Sequence, residues 1–189
     1  MTVPVEGPRR ADRPDDGDAL TTLLRSRLRD VAGFPKPGIV FKDISPLLAD
    51  AQTFAAAVGA LAGRHPEVDL VAGMEARGFI LAAPVAIALR AGFVPVRKQG
   101  KLPGPVHEVT YALEYGEGVL AVHRDAVPPG ARVLVVDDVL ATGGTAAATV
   151  DLVRRGGGEV VGVSFLLELE ALGGRALLPG LDVHALLTL

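Results

Sequence analysis

The chain has 189 residues, enough for one domain with a substantial core, and 49% of them are hydrophobic. A formal net charge of −3 argues against a general nucleic-acid binder. The absence of cysteine excludes disulfides, thiolate catalysis and cysteine-held zinc and fits a reducing cytoplasm, and the four histidines, His65, His107, His123 and His184, fall at no metal-ligand spacing.

Residues 1–17 are rich in Pro, Asp and Arg without periodicity and read as a disordered extension, leaving residues 18–189 as a single domain. No charged-then-apolar signal peptide is visible. A first helix, capped by Asp18, shows an apolar face of Leu20, Leu23, Leu24, Leu28 and Val31. Residues 33–46 are broken by Pro and Gly and cannot be regular helix. A second helix is predicted from Asp50, with Phe54, Val58 and Leu61 on its buried side.

From there strands and helices alternate. Leu70–Gly73 reads as strand, Phe79–Ala91 as helix and Phe93–Arg97 as strand. The apolar run Gly78–Val96 is interrupted by Pro84, Arg90 and Pro95, so a helix followed by a strand is predicted there, not a membrane span. Gln99–Val109 is a Pro/Gly-rich loop. Thr110–Glu114 and Val119–His123 read as an antiparallel strand pair. Val133–Val136 is predicted as strand, Gly144–Arg155 as helix, and Val160–Leu167 and Val183–Leu187 as strands. This alternation implies a mostly parallel sheet with helices on both faces.

The densest chemistry lies at 133–145. Four aliphatics run into Asp137 and Asp138, and then Ala141-Thr142-Gly143-Gly144-Thr145 opens a helix. Glycines let backbone N–H groups approach a phosphate, Thr142 and Thr145 add hydroxyl donors, and a helix N-terminus favours negative charge. Paired acids at a strand's carboxyl end can accept hydrogen bonds from the vicinal hydroxyls of a ribose. Each half alone would be an ordinary strand end or turn; joined, they look like the phosphoribosyl-pyrophosphate (PRPP) signature of type I phosphoribosyltransferases.

Three other segments carry polar chemistry. Glu75-Ala76-Arg77-Gly78-Phe79 puts a guanidinium in a strand–helix turn, suited to phosphate oxygens. Arg97, Lys98 and Lys101 stand beside a long loop followed by Tyr111, Glu114 and Tyr115, the arrangement of a closing lid. Residues 34–46 offer Phe41 as a ring that could stack on a planar base.

Together these segments resemble the adenine phosphoribosyltransferases. The resemblance covers roughly residues 19–189 and rests on FPKPGIVFKDISP at 34–46, EARGF at 75–79, RKQGKLPGP at 97–105, TYALEYG at 110–116 and VVDDVLATGGT at 135–145. It implies a type I phosphoribosyltransferase fold, with a parallel five-stranded core flanked by helices, a small hood and a flexible lid loop. The implied reaction is adenine plus PRPP giving AMP and pyrophosphate. Asp137 and Asp138 would hold the ribose hydroxyls, and Ala141, Thr142, Gly143, Gly144 and Thr145 the 5′-phosphate. Arg77, Arg97, Lys98 and Lys101 would bind pyrophosphate. Val40 and Lys42 would read the adenine edge through main-chain groups, with Phe41 stacked on the base. Glu114 would be the acid–base group, assisted in catalysis by Arg77 and Lys101, and Tyr111 and Tyr115 would belong to the lid. Mg²⁺ would be held mainly by PRPP and water, without dedicated protein ligands, and the protein would be a cytoplasmic homodimer with no nucleic-acid or membrane partner. One departure is Lys42, where many relatives carry Arg. Two rival readings are a phosphoribosyltransferase for another purine, hypoxanthine or xanthine, and a non-catalytic PRPP-sensing regulator. The sensor reading is disfavoured by the absence of room for a DNA-binding domain and by the presence of Lys101 and Glu114.

Overall fold

The computed structural model describes residues 16–112 and 117–189. The expectations for residues 1–15, Glu114 and Tyr115 lie outside the described residues.

Helix α1, Asp16–Ser26, opens two residues before the predicted cap, so Asp18 lies within it. It also ends earlier than the apolar pattern suggested. Leu28 follows the helix, and Val31 belongs to β1, Arg29–Ala32. Strand β1 pairs antiparallel with β2, Val40–Asp43, to form a small two-stranded hood. A short helix α2, Ser45–Ala49, leads into α3, Ala51–Gly63. The stop between them is chemical: Asp50 caps α3 by accepting from the Thr53 N–H at 2.9 Å and the Thr53 hydroxyl at 2.7 Å.

The remaining elements build one sheet. In chain order they are β3 (Leu70–Met74), α4 (Arg77–Leu89), β4 (Gly92–Lys98), β5 (Val106–Ala112), β6 (Glu117–His123), β7 (Arg132–Leu140), α5 (Gly144–Arg155), β8 (Glu159–Glu168) and β9 (Val183–Thr188). The strand order is β5-β6-β4-β3-β7-β8-β9. The five strands β4, β3, β7, β8 and β9 are mutually parallel, and β6 and β5 extend the β4 edge antiparallel. Strand β5 begins at Val106, inside the segment expected to be loop. Its Pro103-Gly104-Pro105 approach masked an ordinary register with β6, Val106 opposite His123.

The unbroken apolar runs of the parallel strands are explained by burial on both faces. Val133 and Val135 of β7 pack with α5 residues such as Leu152 and Val153, whereas Leu134 and Val136 pack with Leu61 of α3 and Leu81 and Val85 of α4. The paired acids come where the apolar run ends, at the carboxyl edge of the sheet.

Candidate active site

At that edge β7 delivers Asp137 and Asp138, and the chain then turns into α5 through Gly143. Gly143 has φ +84° and caps the helix. The first intrahelical bond runs from the Ala147 N–H to the Gly143 carbonyl at 2.9 Å, so the amides of Gly144, Thr145 and Ala146 have no acceptor within the helix. They face a cavity of about 420 Å³, whose walls include Arg77, Lys98, Tyr111, Asp137, Asp138 and residues 141–145. A helix N-terminus with free amides beside such a cavity is suited to an anion.

The two acids are unlike ordinary surface carboxylates. Asp138 is 4% exposed. Its N–H donates to Asp137 Oδ1 at 2.9 Å. Burial, then the neighbouring Asp138 charge, pushes the Asp137 carboxyl well above its usual range. Burial also raises Asp138, against the opposing pull of Arg77. The Arg77 Nε stands 2.9 Å from Asp138 Oδ2. The backbone is tight here as well. A Cβ on Gly78, in the first turn of α4, would fall 2.5 Å from Asp137 Oδ1, so the sequence needs glycine after Arg77.

Arg77 also links the sheet edge to the hood. Its guanidinium lies 5.1 Å from the centroid of the Phe41 ring. Phe34 packs edge-on against Phe41, with centroids 5.2 Å apart. Across the cavity mouth, the Arg97 Nε donates to Glu75 Oε2 at 2.8 Å and its Nη1 to the Lys101 carbonyl at 3.2 Å. Burial works against ionisation of Glu75, but the hydrogen bond and charge of Arg97, with the Lys98 amide, hold its carboxyl below the usual range. The Glu75–Ala76 peptide bond is cis.

The structure thus gathers Arg77, Lys98, Tyr111, Asp137, Asp138, Ala141, Thr142, Gly143, Gly144 and Thr145 around one cavity, with Phe41 adjoining through Arg77. It does not bring every candidate there. Arg97 stands behind Glu75 and is absent from the cavity wall. Lys101 is exposed in a turn. In β2, Val40 is exposed and the Lys42 amine donates to Asp30 at 2.7 Å, so neither side chain lines the cavity. Glu75 and Phe165 are wall residues that sequence reasoning left without a role. Glu75 had a signal, as the acid beside Arg77 in the same turn; Phe165 read only as part of an apolar strand.

Comparison with known proteins agrees with this geometry. The phosphoribosyl transferase domain family matches over residues 47–173. The adenine phosphoribosyltransferase of Acidothermus cellulolyticus is 59% identical over 167 residues, covering 87% of this chain and 94% of that protein. Among solved structures, that of adenine phosphoribosyltransferase from Rhodothermus marinus superposes with a TM-score of 0.86 at 49% identity, covering 91% of this chain and 99% of the other. The Saccharomyces cerevisiae adenine phosphoribosyltransferase, solved with an imino-altritol bisphosphate and adenine, gives a TM-score of 0.85 at 36% identity over 89% of this chain and 99% of its own. The chain belongs to the phosphoribosyltransferase family, in its adenine phosphoribosyltransferase branch.

Proposed function

We propose that the protein transfers the phosphoribosyl group of PRPP to adenine, forming AMP and pyrophosphate. The observation that carries this reading is one cavity walled by a free helix N-terminus, a buried acid beside a half-buried one, and an arginine stacked on an aromatic ring. In the reaction, the N9–C1′ bond forms, the C1′–oxygen bond to pyrophosphate breaks, and the N9 proton leaves. The 141–145 amides and threonine hydroxyls hold the 5′-phosphate. Asp137 and Asp138 accept from the ribose hydroxyls and so fix C1′ over the base. The Phe41 ring stacks on adenine, whose edge meets main-chain groups of Val40 and Lys42.

Positive charge builds on the ribose and negative charge on the departing pyrophosphate. Arg77 and Lys98 stabilise the second. Arg97 would join them only by exchanging its present partners Glu75 and the Lys101 carbonyl, a rearrangement that would also release the turn at Lys101. Glu114, assigned through the TYALEYG motif, takes the N9 proton, and Tyr111 and Tyr115 close over the reacting groups.

The donor chemistry fits Mg²⁺: Glu75, Asp137 and Asp138 are oxygen donors on the cavity wall. These acids would hold the ion through water, with PRPP supplying its direct ligands, and the ion would add charge neutralisation at the pyrophosphate.

A homodimer in a reducing cytoplasm completes the proposal. Ile80 and Ile87, seven residues apart on α4, are 43% and 78% exposed, and Phe93 of β4, which packs on Phe79, is 37% exposed. Sedimentation of the purified protein reads the assembly. Among the described residues, no helix is long and apolar enough to cross a membrane.

The test is nucleotide formation from PRPP and Mg²⁺ with adenine, hypoxanthine, guanine or xanthine offered singly. AMP from adenine alone is expected. Product from another purine would reassign the base, and PRPP binding with no product from any base would leave a sensor.

A further inference from the structure

The loop 141–145 is held from behind by a segment far along the chain. Strand β8 ends at Glu168, the register partner of Leu140 at the end of β7. The Leu169 N–H then donates to the Leu140 carbonyl at 2.9 Å. Two short 3-10 turns follow, Glu170–Leu172 and Gly174–Leu177, with Gly173 between them at φ +64°. This turn sets Gly174 directly against the loop. A Cβ on Gly174 would collide with the Ala141 carbonyl and stand 3.0 Å from the Gly143 nitrogen, and a Cβ on Gly143 would collide with the Gly174 carbonyl. Main chain is packed on main chain here, with the Leu140 side chain also 2.8 Å from the Gly174 Cβ position.

The turn itself is clamped. Arg175 Nε donates to Glu168 Oε1 at 2.7 Å and Oε2 at 2.9 Å, and Nη2 donates to Oε2 at 2.7 Å. Its Nη1 donates to the Val183 carbonyl at 2.6 Å, which ties the turn to β9. Glu168 is 5% exposed, so the fork is bound to a nearly dry carboxylate. Neither Glu168, Gly174 nor Arg175 lines the cavity.

We propose that Gly174 and the Arg175–Glu168 pair are positioning residues for the 5′-phosphate, setting the 141–145 amides from the side opposite the ligand. The inference rests on reading that loop as the 5′-phosphate site. A site built from backbone amides is only as accurate as the placement of those amides, and displacement of about 1 Å can cost 10²-fold. The loop's own glycines offer no side chains to hold it, so the buttress supplies what the loop lacks. Its effect is therefore selective. Ribose 5-phosphate engages the loop, whereas pyrophosphate engages Arg77 and Lys98 across the cavity.

Calorimetric titration of the full chain with ribose 5-phosphate and, separately, with magnesium pyrophosphate tests this. The variants are Gly174→Ala, Arg175→Lys and Thr145→Val. Gly174→Ala is expected to weaken ribose 5-phosphate binding by about tenfold or more, with pyrophosphate binding unchanged. Arg175→Lys keeps the charge beside Glu168 but loses the fork, so it shows a smaller loss of the same selectivity and serves alone should Gly174→Ala not fold. Equal weakening of both ligands, or lowered melting temperature with both affinities intact, overturns the inference. Thr145→Val separates the two readings. If it weakens ribose 5-phosphate binding while the buttress variants do not, the buttress is wrong and the loop assignment stands; if it too leaves that binding intact, the loop assignment fails and the inference falls with it.

Discussion

The two edges of the parallel sheet both hold buried polar groups, but of opposite kinds. At the carboxyl edge, Asp137 and Asp138 are acids whose ionisation burial opposes, facing an open cavity, with Arg77 as cationic partner to one of them. At the amino edge, His65 at the end of α3 and His184 in β9 sit near Asp182, which forks with Arg64 at 3.1–3.2 Å. His65 Nε2 and His184 Nδ1 are buried without a hydrogen-bond partner, as is Ser164 Oγ, opposite His184 in the middle of β8. His65 Nε2 is 3.8 Å from Asp182, too far for a hydrogen bond, and burial outweighs the carboxylate and holds both imidazoles toward the neutral form. One edge keeps charge where a ligand can meet it. At the other, charge stays on the half-exposed Arg64–Asp182 pair, and burial holds the imidazoles beside it toward the neutral form.

The largest way to test that contrast is Asp137→Asn. The folded-state pKa of Asp137 is raised, so the native chain binds more protons than the unfolded one above pH 3.8, and stability falls as pH rises through that window. At neutral pH the acid therefore opposes folding. Asn keeps the acceptor for the Asp138 N–H and removes the buried charge. Turnover should drop by about 10²-fold or more. Melting temperature should rise by about 2–4 °C for each kcal/mol recovered. A lower melting temperature would mean that Asp137 serves the fold, and the two edges would then not differ in kind.

Much of the carboxyl edge was legible because its groups are contiguous. Asp137 to Thr145 lie at one strand–loop–helix junction, so spacing alone placed them together, and Gly144–Arg155 was read as a helix with both ends in place. What depended on tertiary folding was not legible. Arg77 meets Asp138 only because α4 packs against β7, and meets Phe41 only because the β1–β2 hood lies beside the start of α4. Gly174 carries no signal in the sequence, since nothing local says that Gly143 lies against it. Arg97 and Lys101 were grouped with the cavity as neighbouring cations, but Glu75 competes for Arg97 and draws it behind the wall. The amino edge was equally opaque: Ser164 meets His184 only through the pairing of β8 with β9, and the His65 ring reaches Gly162 of β8 only after α3 has packed on the sheet.

A second, intermediate effect belongs to that amino edge. Burial holds both histidines below the ordinary imidazole value of 6.5, so their contribution to stability is fully present above that pH and is lost as pH falls through the lowered values. Unfolding takes up at most about two protons from this pair. The lowered acids Asp43, Asp50, Glu75 and Asp182 lose their contribution only at more acidic pH, and Asp137 and Asp138 slope the other way. Urea unfolding of the wild type and of a His65→Gln/His184→Gln variant, compared between about pH 7.5 and 5, isolates the histidine part. The variant should be flatter with pH in the acidic half of that range. Identical slopes would mean that the imidazoles titrate alike in both states and that burial does not hold them neutral.

The smallest effect lies on α4, a helix that starts at the carboxyl edge and runs toward the other. Helix α4 begins at Arg77, beside the acids, and ends at Arg90, whose φ of +56° is left-handed. Its N–H satisfies the last turn through the Ala86 and Ile87 carbonyls, so the conformation is set by helix termination. A side chain in this region costs about 1 kcal/mol, which glycine avoids. Glycine also loses more backbone freedom on folding, so Arg90→Gly should gain about 0.5 kcal/mol net. That corresponds to a rise of about 1–2 °C in melting temperature. Turnover and both substrate KM values should not change, because the termination geometry is kept and Arg77 stays where the first turn puts it. A shifted KM for PRPP would show that strain at one end of α4 is felt at the other, and the two edges would have to be treated as one coupled unit.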